Sequence, residues 1–452
     1  MANTIKIGNT EVSAVMIGNS AVSAVYIGSS KIYPSGGTVD YSKQYLTFEV
    51  VDGGNVTITA SNADVAKTIQ YSTDNGSTWT SLTTSTTAQE LGGALSVGDK
   101  ILVKGTNTAY GTNSYYNSFG GTAKVNVYGN IMSLISGDNF ANNKTLTANY
   151  TFKRLFYSYT NLLTAENLIL PATTLTSHCY YGMFKGCTSL VNTPALPATE
   201  LAENCYSGMF NGCTSLTSAP ELPATTLASN CYNGMFYGCT SLTTAPELPA
   251  TTLASNCYRS MFYGCTSLTS APTLPATTLA SSCYGDMFYG CTSLVNAPTL
   301  PATTLTNWCY YSMFQGCTSL VNAPTLPATT LANYCYGDMF YGCTSLVNAP
   351  ELPATTLANY CYYSMFYGCT GLTTAPELPA ITLAEGCYET MFNSCTKLNY
   401  IKAMFTTTPG TDYTFDWVRG VASTGIFVKN SAATWNVTGI NGIPTGWTVV
   451  NE

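Results

Sequence analysis

The chain has 452 residues, enough for about three domains or one long repeat array. Only 9% of residues are charged while 45% are hydrophobic, which excludes a disordered chain, and 16 Lys+Arg against 23 Asp+Glu leave no basic surplus for nucleic acid. A single histidine, His178, removes the usual participant from most metal and acid–base schemes.

The first residues, Met1-Ala-Asn-Thr-Ile-Lys-Ile-Gly, lack the basic and apolar regions of a secretory signal, and no segment has the ~18 apolar residues of a membrane helix. Synthesis and folding in a cytoplasm, without membrane insertion, are therefore expected. Residues 1–38 carry a ten-residue repeat: Ile5-Lys-Ile7-Gly, Met16-Ile17-Gly and Tyr26-Ile27-Gly. Its β-branched residues and Gly-Asn or Gly-Ser breaks predict short strands joined by tight turns. So short a piece buries no useful core alone, so Ile5, Ile7, Met16, Ile17, Tyr26 and Ile27 are expected to pair with sister chains or dock into a larger particle.

Residues 39–133 alternate apolar and polar residues in Tyr45-Leu-Thr-Phe-Glu-Val-Val, Val56-Thr-Ile-Thr-Ala and Lys100-Ile-Leu-Val-Lys, with turn signals between, and predict a small β-sandwich. Ser72-Thr-Asp74-Asn-Gly76-Ser-Thr78-Trp79 resembles the Asp-box of sialidase propeller blades. With one copy and no arginine triad, it is read as an Asn-Gly hairpin with its Trp tucked into the sandwich.

Residues 134–169 form a linker and a degenerate first turn, in which Leu155-Phe156, Tyr159 and Leu162 occupy positions that recur downstream. From Leu170 to Leu398 a 26-residue unit repeats nine times, as in Leu248-Pro-Ala-Thr-Thr-Leu-Ala-Ser-Asn-Cys-Tyr-Arg-Ser-Met-Phe-Tyr-Gly-Cys-Thr-Ser-Leu-Thr-Ser-Ala-Pro-Thr. Leu-Pro-Ala, Cys-Tyr, Met-Phe and Cys-Thr-x-Leu keep their places while the residues between them vary, the signature of stacked turns. The prolines predict extended segments, and the apolar spacing i, i+4, i+5, i+8 of Cys-Tyr-x-x-Met-Phe-x-x-Cys predicts one or two helical turns. Residues 399–452, with Trp417, Trp435 and Trp447, are expected to cap the array.

The Met-Phe-x-Gly-Cys-Thr-Ser-Leu block followed by an extended proline segment is similar to the BspA-like leucine-rich repeats of gut bacteria and their phages, over residues 155–398. The resemblance implies a right-handed solenoid with the Phe, the Leu and the Cys of Gly-Cys pointing inward. This chain departs from that family in placing Cys-Tyr where Ile-Gly is usual. The N-terminal decapeptides resemble the starts of phage tail and fibre proteins. The expected fold is thus mainly β with short helical turns: N-terminal β repeats, a β-sandwich, then a capped right-handed leucine-rich-repeat solenoid.

All 18 cysteines lie in the array as nine Cys-x7-Cys pairs. They are read as buried thiols, with disulfides inside each repeat as the alternative; the spacing fits no common zinc pattern. His178 is read as a neutral surface side chain, and Asp286 and Asp338, two repeats apart, as solvated acids. No catalytic residue, metal site or cofactor is expected. The variable positions carry the binding expectation instead. Trp308, Tyr334 and Tyr360 precede the first Cys of their repeats, and Tyr237, Tyr263, Tyr289, Tyr341 and Tyr367 follow the Phe. Aromatic area beside Ser, Asn and Gly suits a sugar or a protein loop; the alternative is a ladder that merely stabilises the stack. The expected function is a non-catalytic virion protein, a tail or fibre component assembled in the host cytoplasm. It would bind a host-surface glycan or protein through the repeats and other virion proteins through its N-terminal part, as a homo-oligomer and by analogy with fibres a trimer. A bacterial cell-surface adhesin and a structural virion decoration are the alternatives.

Overall fold

A computed structural model describes residues 39–452 throughout and, of residues 1–38, the backbone of six short strands. These are Lys6–Ile7 (β1), Thr10–Glu11 (β2), Met16–Ile17 (β3), Ser20–Ala21 (β4), Val25–Ile27 (β5) and Ser30–Tyr33 (β6). They form three antiparallel pairs, one per decapeptide.

The next strands are Leu46–Asp52 (β7), Val56–Ala60 (β8), Thr68–Ser72 (β9), Thr80–Thr83 (β10), Gln89–Glu90 (β11), Lys100–Lys104 (β12), Asn117–Gly121 (β13) and Lys124–Asn130 (β14). One sheet runs β10-β9-β12-β7-β14 and a second runs β11-β8-β13. Phe48 on β7 meets Phe119 on β13 with ring centroids 4.9 Å apart, so the two sheets share a core. Asn75 and Gly76 lie within the seven-residue loop 73–79 between β9 and β10, not in the tight hairpin expected, and both have positive φ, which Asn and Gly accept most readily. Asp74 accepts hydrogen bonds from the Thr78 backbone N–H, the Thr78 hydroxyl and the Ser72 hydroxyl, which hold its carboxyl down at about 2. Trp79 lies edge-on to Tyr45 and under the Lys104 ammonium, 4.0 Å from its ring centre.

The larger sheet does not end at β14. Leu162–Thr164 (β15) and Leu168–Ile169 (β16) pair with it in parallel, and Phe119 N–H donates to the Leu155 carbonyl. The first turn of the array is therefore hydrogen-bonded directly to the β domain. At the other end Tyr400–Ala403 (β17), Ile426–Lys429 (β18) and Thr448–Asn451 (β19) form a parallel sheet. Trp417, Trp435 and Trp447 are buried there, and each indole N–H donates to a backbone carbonyl, of Gly442, Phe405 and Ala422 respectively.

Between these ends the repeats stack one on another. The helical arm expected from the Cys-Tyr-x-x-Met-Phe-x-x-Cys spacing does not form. Among the described residues the one α-helix is the four-residue segment Ser133–Ser136, outside the array. Each arm is instead a run of tight turns in which every fourth residue adopts left-handed backbone: His178, Gly182 and Gly186 in the first repeat, Asn256, Ser260 and Gly264 in the fourth. A helix cannot pass through such residues. The N–H groups alternate between two destinations. Those of Tyr181, Met183, Lys185 and Cys187 bond three residues back, while those of Tyr180, Gly182, Phe184 and Gly186 donate to Cys205, Ser207, Met209 and Asn211 of the next repeat. Every amide of the arm is thus satisfied, half of them by the neighbouring turn.

The invariant skeleton faces inward. Both cysteines, the Tyr of Cys-Tyr, the Met, the Phe and the closing Leu of every repeat are buried, and the inner Tyr rings stack at 5.6 to 5.9 Å from one layer to the next. All 18 cysteines are free thiols. The second Cys donates its S–H to the Phe carbonyl of the preceding repeat, as Cys213 does to Phe184 at 3.1 Å, a bond alanine could not make. In the Leu-Pro-Ala segment the Leu and Ala are buried, and the Pro between them is exposed except in the first and last repeats, where Pro171 and Pro379 are half-buried. Single-residue parallel bridges, such as Thr226 to Thr252 and Ser218 to Thr244, join these segments between layers.

Candidate binding surface

The outward side of the turn run carries the variable residues, and the 26-residue register sets equivalent positions one above the other. Trp308, Tyr334 and Tyr360 come together as one ladder, with centroids 4.0 and 4.7 Å apart and planes within 8° and 2° of parallel. Tyr311 sits edge-on to Trp308 at 4.8 Å, and Tyr363 edge-on to Tyr360 at 6.2 Å. Tyr237, Tyr263 and Tyr289 form a second ladder at 4.4 and 4.3 Å, and Tyr341 and Tyr367 continue that column at 4.5 Å after an interruption at Gln315.

The two columns differ in their backbone. Trp308, Tyr334 and Tyr360 have φ of 60, 55 and 55°, whereas no residue of the second column has positive φ. Left-handed backbone costs a side chain about 1–2 kcal/mol, so the three together carry about 3–6 kcal/mol. Two stacked ring pairs return about 1–3 kcal/mol. At the same site three other repeats hold Asn204, Asn230 and Asn256, and asparagine tolerates this backbone more readily. Three bulky aromatics are therefore held where the fold alone favours asparagine, and such strain concentrates at functional positions.

The ladder is closed at one end and open at the other. Beyond Tyr360 the next residue in register is Gly386, whose backbone lies so close against the ring that a Cβ there would collide with it. Tyr360 is also tied down by donating its hydroxyl to Glu385 at 3.1 Å. Before Trp308 the residue in register is Ser282, and Trp308 keeps 38% of its surface exposed.

Several partners around the ladder escape a reading of the sequence by columns, because they pair one repeat plus one residue apart. Arg259 Nε lies 3.2 Å from Asp286, which burial nonetheless holds above its usual carboxylate range. Asp338 is buried beneath the Tyr311 and Ser364 hydroxyls, and burial raises its carboxyl too. The expectation of two solvated acids is corrected for both. His178 is likewise no surface side chain: it is half-buried between Tyr150 and Tyr181, hydrogen-bonded to Ser177 at 2.7 Å, and burial lowers its pKa.

Hollows also lie elsewhere on the described surface, among them the following two. A shallow groove of about 230 Å³ is lined by Gly182, Gly208, Gly234 and Asn211 and runs up to Tyr237. A cup of about 520 Å³ on the larger sheet is walled by Tyr41, Tyr128 and Lys100, but the Tyr128 ring already meets the Tyr41 edge and the Lys100 ammonium. Among the described residues no group of three His, Cys, Asp or Glu side chains could hold a metal, and no helix is long and apolar enough to cross a membrane. Of the residues expected to mediate assembly, Ile5 lies outside the described residues, while Ile7, Met16, Ile17, Tyr26 and Ile27 fall in β1, β3 and β5.

Comparison with curated proteins and with solved structures finds no match. The model of the BspA-type leucine-rich repeat region matches in six copies, over residues 153–295, 231–373 and 311–419, more than half of the chain. That repeat type is one of surface and binding proteins. The chain belongs to the BspA-type leucine-rich-repeat family.

Proposed function

We propose that the chain is a non-catalytic binding protein whose repeats, stacked as a capped right-handed solenoid, hold a cell surface through the Trp308–Tyr334–Tyr360 ladder. The observation that carries this is the strained left-handed backbone at three exposed or half-exposed aromatics, where asparagine serves other repeats. A surface glycan or a protein loop is the ligand class, since rigid rings beside Ser, Asn and Gly supply contact area at low entropic cost.

The protein's setting in this reading is a virion, as a tail or fibre component. The three N-terminal hairpins serve as the segment that assembles sister chains, as a homo-oligomer of trimer type, and that joins them to other virion proteins. The likeness of the decapeptides to the starts of tail and fibre proteins supports this. A bacterial surface adhesin is the second reading, with which the repeat family is equally compatible. Mass spectrometry of purified virions and of washed bacterial envelopes decides between them: recovery in particles supports the first, recovery in envelopes alone the second. Retained host adsorption by particles lacking residues 170–398 would refute the binding role and favour a decoration protein.

A further inference from the structure

Within a stacked ladder, rings 4.0 to 4.7 Å apart cover one another's faces, so no ligand ring fits between them. Tyr334 is covered on both sides, and Tyr360 is covered by Tyr334 and by the Gly386 backbone. The face of Trp308 turned away from Tyr334 is different. It looks across the layer of Ser282, whose side chain is too small to cover an indole, and Trp308 is the exposed one of the chain's five tryptophans.

That layer also lacks a side chain three residues further on, at the buried Gly285, where other repeats place Tyr311 or Tyr363. Arg259 lies beside this glycine: a Cβ on Gly285 would lie 3.9 Å from its Cγ, and its Nε pairs with Asp286 at 3.2 Å. Trp308, the half-buried Ser282 and the guanidinium–carboxylate pair thus bracket the buried Gly285 and outline a shallow surface notch with an aromatic wall. Arg259 is about half exposed, so its remaining N–H donors face outward.

We propose that this notch binds one neutral pyranose unit of a surface glycan, a site that refines the binding role proposed above and rests on it. The C–H face of the sugar stacks on Trp308, and adjacent hydroxyls accept from Arg259 and donate to Asp286. Charge selects the neutral sugar. The notch contributes one positive and one negative group, and the repeats around it hold Lys185, Arg259 and Lys397 against ten acidic residues, so a sulfated or sialylated glycan is repelled.

The test uses the full chain, with affinities of the parent and of every variant read by isothermal titration calorimetry and, in the parent, the change in tryptophan emission followed as well. Neutral gluco-, galacto-, manno- and N-acetylhexosamine oligosaccharides are titrated beside a sialylated and a sulfated one. At least one neutral oligosaccharide is expected to shift the emission and to bind about tenfold more weakly to Trp308→Asn and to Arg259→Ala. Trp308→Tyr, which keeps a ring, and Val321→Ser, exposed after the turn run, should bind within about threefold of the parent. Trp308→Asn places at this site the residue three other repeats use, so loss of binding there is not loss of fold. Preference for the acidic oligosaccharides, or undiminished binding by Trp308→Asn, overturns the proposal. So does attachment to bacterial cells that survives periodate treatment of the cells and is lost after protease, which marks a protein ligand and leaves the wider binding role standing. Failure to attach to any cell refutes both.

Discussion

Replacing Gly238 by alanine separates the turn run from a helix by the sign of one number. Gly238 has φ of +69°, and an added Cβ would meet nothing within 4 Å, so the substitution changes conformational preference and almost nothing else. In a helix interior, alanine would stabilise the protein by about 0.5–1 kcal/mol relative to glycine. In left-handed backbone the same methyl costs about 1–2 kcal/mol. Gly238→Asn should cost less than Gly238→Ala, because asparagine enters this region more readily. Urea unfolding followed by circular dichroism reads the difference as a shift of the midpoint. The expected order of midpoints is Gly238, Asn, then Ala. A midpoint raised by alanine would refute the succession of turns on which the outer columns and their register depend.

The remaining predictions concern the interior and its charges. Burial raises the folded-state pKa of Asp338 above its unfolded value, so the folded chain binds more protons in that window and stability falls as pH rises through it. Asp338→Asn should therefore raise the melting temperature at pH 7 and abolish the difference near pH 4; a lower melting temperature at pH 7 would contradict this. The Tyr284 hydroxyl is buried with no hydrogen-bond partner among the described residues, so Tyr284→Phe should be neutral or stabilise by up to about 1–3 kcal/mol. A loss of more than about 1 kcal/mol in thermal unfolding would show that the hydroxyl is bonded after all. All 18 cysteines are free and buried, so a thiol reagent should label almost none in the native protein and all 18 in urea, with no effect of reductant on the melting temperature. Rapid native labelling, or melting that drops with reductant, would go against it.

The repeat, its register and its inward skeleton were legible because Leu-Pro-Ala, Cys-Tyr, Met-Phe and Cys-Thr-x-Leu recur without drift over nine units. The shape of the arm was misread for a specific reason. A run of turns with left-handed backbone at every fourth residue has a period of four, close to the 3.6 of a helix, so its apolar positions mimic one. The contrary signal was present in His178, Gly182 and Gly186 and their counterparts, which are mostly Gly, Asn, Ser or Asp, the residues that accept positive φ. The two aromatic columns could be found by register alone, but their difference could not, since only the backbone shows that Trp308 and Tyr334 are strained while Tyr263 is not. The pairing of β14 with β15 and β16 joins segments more than 35 residues apart in parallel and has no local signature. Arg259–Asp286 is hidden because its partners are offset by one residue from the repeat length.

The central claim is that the strained ladder exists to bind and not to hold the stack together. The direct test is attachment of the purified full chain to bacterial cells, measured for the parent and for a variant carrying Trp308→Asn, Tyr334→Asn and Tyr360→Asn together. With the strain relieved and two stacked pairs lost, the variant should unfold within about 3 kcal/mol of the parent and no longer attach. Attachment equal to the parent's would contradict the claim and leave the ladder a structural ornament of the repeats.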